Sequence, residues 1–254
     1  MPKQTIAYCL LLIVLQLFTG PVNAGGWREL APGIEYQDLG INILTLWSHI
    51  HTFRIDLKSN KLDLVMAQDL SRHLASADEF AQHSNALIAT NGGFFDQNNQ
   101  PLGLRISNQQ QYNPIKRISW WGIFYIDNHK ASISSPFQYL NSDHVNFAVQ
   151  SGPRLIINGE IPSLKPGYAE RTALGITRDG RVILIVTEKT PMTTASLASL
   201  MRAPPLNCID ALNLDGGSSS QLSAHIGAFN INDRGFSNVS DAIIVKPNKM
   251  TRKR

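Results

Sequence analysis

Short apolar runs separated by turn residues dominate the chain. Residues 41–46, 51–57 and 62–67 are brief and rich in β-branched or alternating apolar positions, which predicts strands. Ser59-Asn60 marks a turn between the last two. Ser76-Ala77-Asp78-Glu79 has the hydroxyl-to-carboxylate spacing of a capping box and predicts a helix over 77–85. Residues 86–90 form a continuous apolar run, read as a buried strand, that ends in Asn91-Gly92-Gly93-Phe94-Phe95-Asp96. Strands are predicted again at 102–106, 120–126, 145–150 and 155–157, with Asn158-Gly159 as a tight turn. Residues 171–177 and 181–187 flank Arg178-Asp179-Gly180 as a hairpin. A second helix is predicted over 194–201, stopped by Pro204-Pro205. Residues 209–214 make another buried strand, ending in Asp215-Gly216-Gly217-Ser218-Ser219-Ser220. Many strands with few helices predict an α+β fold of mixed, largely antiparallel sheets in a single domain.

The first residues carry a different pattern. Lys3 precedes a run, 6–18, that is apolar apart from Gln16; Gly20-Pro21 then breaks any helix. Val22-Asn23-Ala24 has small residues where a signal peptidase needs them. This predicts a secretory signal over 1–24, a mature domain over 25–254, and a periplasmic or secreted location. The run falls short of the about 20 residues of a membrane span, so no stable span is expected after cleavage. An uncleaved N-terminal anchor is the alternative.

Composition is that of an ordinary globular protein, 43% hydrophobic and 17% charged. Asn, Gln, Ser and Thr must therefore supply much of the polar surface. The formal net charge of +4 is concentrated at Lys246, Lys249, Arg252, Lys253 and Arg254. A short basic tail without aromatic interleaving gives no nucleic-acid reading. Cys9 lies in the predicted signal, which leaves Cys208 alone, with no internal disulfide, as a buried small hydrophobe.

Gly-Gly after a strand permits positive φ, close approach of backbone to a ligand, and an amide nest for an anion. The bland reading is two ordinary tight turns. Ser151-Gly152-Pro153 also follows a strand-like run. Arg171 can be a bidentate fork for phosphate or a surface ion-pair partner. Glu188 closes the apolar run 182–186. Asp96 can pair with Asp215 or Glu188 as acid and base for glycosidic cleavage. No cofactor is required; a divalent cation is the one option, with Asp96 and Asp215 as its candidate ligands. His49 and His51 alternate along a strand and can ligate metal or stand as polar strand positions. No G-x-S-x-G elbow, Walker loop, dinucleotide fingerprint or H-E-x-x-H occurs.

Four motifs stand in order: Asn91-Gly92-Gly93-Phe94-Phe95, Ser151-Gly152-Pro153, Arg171-Thr172-Ala173-Leu174-Gly175 and Asn213-Leu214-Asp215-Gly216-Gly217-Ser218-Ser219-Ser220. In this combination the chain resembles the phosphodiester glycosidase family over nearly the whole mature domain. The resemblance implies hydrolysis of a sugar-1-phosphodiester at its glycosidic bond. Through bacterial members it implies envelope or exopolysaccharide metabolism, with a sugar-phosphate or polysaccharide as partner. It gives Asp215, Glu188 and Arg171 catalytic roles. It places Asn91, Gly92, Gly93, Ser151, Gly152, Thr172, Gly216, Gly217, Ser219 and Ser220 on the substrate. Two departures are visible. Ser218 stands where many members have a third glycine, and 236–241 lacks the Arg-Pro-Val element, with Arg234 upstream as its candidate substitute. The alternatives are a non-catalytic glycan-binding or envelope-assembly protein on the same fold, and a serine-dependent acyl enzyme using 218–220.

Overall fold

Val182-Ile183-Leu184-Ile185-Val186 is apolar at every position because both faces of its strand are covered. The same holds for most central strands, and it explains the continuous apolar runs. The structure, a computed structural model, describes residues 26–40 and 47–248. The predicted signal over 1–24, the strand predicted at 41–46 and the basic residues beyond 248 lie outside the described residues.

Seventeen strands and two α-helices follow one another among the described residues. They are β1 (Arg28–Ala31), β2 (Ile34–Asp38), β3 (His49–Ile55), β4 (Asn60–Met66), α1 (Ala77–Ser84), β5 (Ile88–Asn91), β6 (Arg105–Ser107) and β7 (Gln110–Asn113). Then come β8 (Gly122–Asp127), β9 (Lys130–Ser134), β10 (Val145–Ser151), β11 (Arg154–Ile156), β12 (Thr172–Thr177) and β13 (Val182–Glu188). The chain continues through α2 (Thr194–Arg202), β14 (Cys208–Asn213), β15 (Leu222–Ile226), β16 (Phe229–Asp233) and β17 (Asp241–Pro247).

The strands form three sheets: β1-β2-β3-β13-β12-β14-β11, β7-β6-β10-β8-β9, and β16-β15-β5-β17-β4. Every pairing is antiparallel. The fold is α+β and mostly sheet. One face of each sheet turns to a shared core: Phe53, Leu174 and Leu184 from the first, Phe124 and Phe147 from the second, Leu64, Ile88 and Ile243 from the third. Alternate residues then face outward, as strand pleating requires. Ile183, Ile185 and Ala173 pack under α2 through Leu197, Ala198 and Met201. Ala89, Ala242 and Ile244 pack under Phe80 and Ala81 of α1.

The capping box forms as the spacing predicts. Ser76 accepts from the Glu79 amide at 3.3 Å, and Glu79 accepts from the Ser76 amide at 2.9 Å. Cys208 is buried, and burial pushes its thiol up to about 12. Two predicted strands begin late for visible reasons. Residues 102–104 turn their carbonyls to the Arg105 guanidinium at 3.2, 3.4 and 3.2 Å, so β6 starts only at Arg105. The Trp121 amide closes a turn on the Ile118 carbonyl at 3.1 Å, so β8 starts at Gly122.

This topology brings the motifs to one end. There β5 ends in Asn91, β10 in Ser151 and β14 in Asn213, while β12 starts at Thr172 and β17 at Asp241.

Candidate active site

The floor of this end is an ion pair with no exposed side-chain surface. Arg105 Nε donates to Asp241 Oδ1 at 3.0 Å. Its Nη1 donates to the Gln150 carbonyl at 3.0 Å and its Nη2 to the Phe94 carbonyl at 3.1 Å. The second carboxylate oxygen of Asp241 accepts from Ser240 Oγ at 2.8 Å.

Gly92 and Gly93 are glycine because of this pair. A Cβ on Gly92 would lie 1.8 Å from Asp241 Oδ1, and one on Gly93 would lie 2.6 Å from Arg105 Nη2. Neither has positive φ. The expected amide nest also fails on hydrogen bonds. The Gly92 amide donates to the Asp241 carbonyl at 2.9 Å and the Gly217 amide to the Glu170 carbonyl at 2.8 Å. The Gly216 amide closes on Asp215 Oδ1 at 2.9 Å. Gly92, Gly93 and Gly216 are packing joints, whereas Gly217 takes the positive φ, 62°, that the Gly-Gly pattern predicts.

Asn91 ties the two turns together. It is fully buried; its Nδ2 donates to the Asp215 carbonyl at 2.8 Å and its Oδ1 accepts from Thr172 Oγ1 at 2.8 Å. Ser220 Oγ lies 3.3 Å from Thr172 Oγ1, a hydroxyl pair in which Thr172 can accept, and both residues are fully buried. The side chains of Asn91, Thr172 and Ser220 and the backbone at Gly92 and Gly93 are thus engaged within the protein. They hold the floor, because the strand ends that carry them point into the protein.

Above the floor opens a cleft of about 550 Å³. Arg171, Asp215, Gly152, Gly216 and Gly217 line it, together with Phe94, Trp120, Lys165 and Asn213. Arg171 is oriented by two carbonyls: Nε to Met192 at 2.9 Å and Nη2 to Gly167 at 2.5 Å. Burial lowers its pKa, yet a guanidinium stays charged. Burial raises the Asp215 carboxyl above its ordinary value. Hydrogen bonds from Ser219 and the Gly216 amide work against this, the Asp241 charge adds to it, and Arg105 offsets part. Ser219 is thus a partner of Asp215. Ser151 lies just behind the lining; its Oγ and Asn213 Oδ1 are buried with no partner among the described residues.

Glu188 does not line this cleft. It closes β13, and its Oε2 meets His51 Nε2 at 3.2 Å while Oε1 faces Lys189 Nζ at 3.4 Å. His51 Nδ1 meets Tyr36 OH at 2.9 Å, and His49 Nδ1 meets Asp38 Oδ2 at 2.6 Å. Burial lowers the His51 pKa. On Asp233, burial first and Glu188 second push the carboxyl up to about 6. The side chain of Glu188 points to the inner face of the first sheet, that of Arg171 to the outer, which is why neighbouring strand ends separate them.

The remaining candidates stand outside the cleft lining. Asp96 Oδ1 accepts from the Asn98 and Gln100 amides, both at 2.9 Å, so it closes its own turn and stays out of the cleft lining. Among the described residues no three His, Cys, Asp or Glu side chains are grouped to hold a metal. Arg234 lines a separate hollow over the start of α1 with Asp78 and Glu79, so it does not stand in for an active-site arginine. No histidine lines the cleft, so Ser218, Ser219 and Ser220 have no imidazole base there. Lys165 carried no sequence signal; Arg105 and Trp120 fell within segments read only as strands, Asn213 within a motif, and Asp241 at the end of the stretch noted only for lacking Arg-Pro-Val.

The family model for phosphodiester glycosidases matches residues 84–246, well over half of the chain. The chain belongs to this family. The matched range of this phosphodiester glycosidase family member contains Arg105, Arg171, Asp215 and Asp241. The uncharacterized protein YigE of Escherichia coli K12 is 33% identical over 114 residues, 40% of this chain and 45% of that protein. The match thus spans less than half of that relative. The catalytic domain of zebrafish N-acetylglucosamine-1-phosphodiester alpha-N-acetylglucosaminidase, auto-inhibited by its pro-peptide, is similar in fold. Its TM-score is 0.64 at 18% identity, over 91% of this chain and 85% of that one. A hypothetical protein from Synechocystis gives 0.61 at 18% identity, over 90% of this chain and 64% of that one. A putative exported protein of Burkholderia pseudomallei gives 0.57 at 13%, over 79% and 74%. At these identities the likeness is one of fold.

Proposed function

We propose that the protein is an exported hydrolase that cleaves the glycosidic bond of a sugar-1-phosphodiester, acting in envelope or exopolysaccharide metabolism. The observation that carries this reading is one cleft holding a fixed guanidinium, Arg171, and a carboxyl of raised pKa, Asp215, beside the aromatic wall of Phe94 and Trp120. Arg171 and Lys165 bind the phosphodiester oxygens. The aromatic wall takes the apolar face of the sugar. Asp215, in its carboxylate form, takes a proton from water as the water oxygen bonds to the anomeric carbon. The bond from that carbon to the phosphate oxygen breaks, and its electron pair leaves on the phosphate. Arg171 stabilises the charge that builds there. A phosphomonoester is a good leaving group, so the reaction does without the second carboxylate of ordinary glycosidases. That agrees with Glu188 and Asp96 standing outside the cleft.

The test uses N-acetylglucosamine-1-phosphate methyl ester, the sugar being that of the zebrafish protein's name, in water enriched in heavy oxygen. The label is expected in the anomeric hydroxyl of the released sugar and not in the phosphate. Label in the phosphate would mean cleavage at phosphorus and would overturn the proposal.

Export rests on the pattern of 1–24. The chain recovered from a secreting bacterial host is expected to begin at Gly25 by N-terminal mass analysis. A chain retained in the cytosol with Met1 or Pro2 at its start would remove this part of the reading. Among the described residues no helix is long and apolar enough to cross a membrane.

A further inference from the structure

The end of the molecule that carries the cleft also carries the exposed aromatic side chains. Among the described residues these are Trp47, Trp120, Phe137, Tyr168 and Phe236. Trp47 precedes β3, whose His49 pairs with Glu188 at the end of β13. Tyr168 precedes β12, beside the cleft residues Ala169 and Arg171. The Trp120 carbonyl accepts from the Arg154 amide, at the start of β11. Phe236 donates its amide to the Ser218 carbonyl at 3.0 Å. Phe137 follows β9, whose Ser134 pairs with Ile123 near the start of β8.

Three of these fall in line. β3, β13, β12, β14 and β11 are successive neighbours in the first sheet. Trp47, Tyr168 and Trp120 therefore mark a row four strand spacings long, about 19 Å at ~4.8 Å per strand. Arg171 and Asp215 lie within the row, and Lys189 lies between Trp47 and Tyr168. Trp120 meets Trp121 edge-on at 5.8 Å, while Trp47 and Tyr168 are set off from it by Lys189 and Arg171, unlike the merged apolar centre of a protein interface. Isolated rings with hydrogen-bonding neighbours suit sugars, which offer an apolar face and a polar rim. The cations Lys165, Arg171 and Lys189 suit phosphates that recur along a chain.

We propose that the row from Trp47 to Trp120 is a glycan-binding track that holds several consecutive sugars of a phosphodiester-linked chain across the bond to be cut. The proposal rests on the reading of the cleft given above and names its substrate class: an extended sugar-phosphate oligomer rather than a single sugar-1-phosphodiester.

The test compares a dimer and a pentamer of N-acetylglucosamine joined through 1-phosphodiesters. The full chain is expected to show a higher kcat/KM for the pentamer. Trp47→Ala is expected to cut the pentamer-to-dimer ratio about fivefold to tenfold, the scale of one lost ring contact. A second arm measures binding by calorimetry in Asp215→Asn and in the same protein with Trp47→Ala. Tighter pentamer binding that Trp47→Ala weakens supports the track, even where neither oligomer is hydrolysed and the reaction assigned to the cleft is lost. Equal binding of the two oligomers, or a ratio that Trp47→Ala leaves unmoved, overturns the track even where hydrolysis proceeds.

Discussion

Arg105→Met is expected to lower stability by about 3–5 kcal/mol, the usual cost of leaving one buried charge without its partner. For a domain of this size that is a fall in Tm of roughly 10 °C. The size follows from what the guanidinium holds. It neutralises Asp241 and takes the carbonyls of Phe94, Leu102 and Gln150, and none of its surface reaches solvent. Water cannot replace those bonds without opening the joint at Gly92 and Gly93. Melting followed by circular dichroism measures the loss; a shift under about 2 °C would show that the pair carries little of the fold. The same variant has an electrostatic signature. Arg105 offsets part of the rise in the Asp215 carboxyl while Asp241 adds to it. With Arg105 gone that offset is lost, the Asp215 pKa moves higher, and the acid limb of the rate profile moves to higher pH.

Removing the cleft charges is expected to cost more in rate than in stability. Arg171→Ala should lower kcat/KM by about a hundredfold to a thousandfold, the scale for one electrostatic stabiliser of a transition state. Asp215→Asn should lose about a hundredfold to ten-thousandfold, as for a base. Asp215 must be ionised to accept the proton, so kcat/KM falls as pH drops through its raised pKa, above the ordinary carboxylate value of about 4. Stability moves the other way. A carboxyl raised on folding contributes stability that is fully present below its unfolded pKa and is lost as pH rises through the folded one. Asp215→Asn should therefore be at least as stable as the wild type at neutral pH, with the difference shrinking in acid. Wild-type turnover in either variant would remove Asp215 and Arg171 from the reaction. A less stable Asn variant at neutral pH would contradict the buried-charge account.

Local signals in the sequence reached as far as local physics does. The run 182–186, the Ser76 capping box and the Asn158-Gly159 turn each depend on neighbours in the chain, and the structure keeps all three. Strands β1, β2, β7, β9, β15, β16 and β17 gave no such signal. The short, polar Phe229–Asp233 strand, for example, pairs on one side only, as a sheet edge does. Glycine at 92 and 93 answers to contacts across the sequence, with Asp241 at 92 and with Arg105 and Gln150 at 93, rather than to a dihedral angle. Arg105 and Asp241 are far apart in the chain, and no spacing rule links such a pair. Arg171 and Asp215 could be singled out as strand-end residues. Which face Glu188 takes depended on a register that only the folded sheet defines.

The position of β17 sets an order of assembly. It lies between β4 and β5, so the third sheet has a gap until this strand enters it. It also brings Asp241 to Arg105 and a carbonyl to Gly92. A chain that emerges N-terminus first therefore holds Asn91 and Arg105 without the strand that completes their floor. Such contacts between distant segments form late and slowly. Until β17 is delivered, β4 and β5 expose unpaired edges that invite association with other chains. The cleft is thus among the last parts of the protein to exist, and a chain cut short before Asp241 would retain the residues of the reaction without the surface that aligns them.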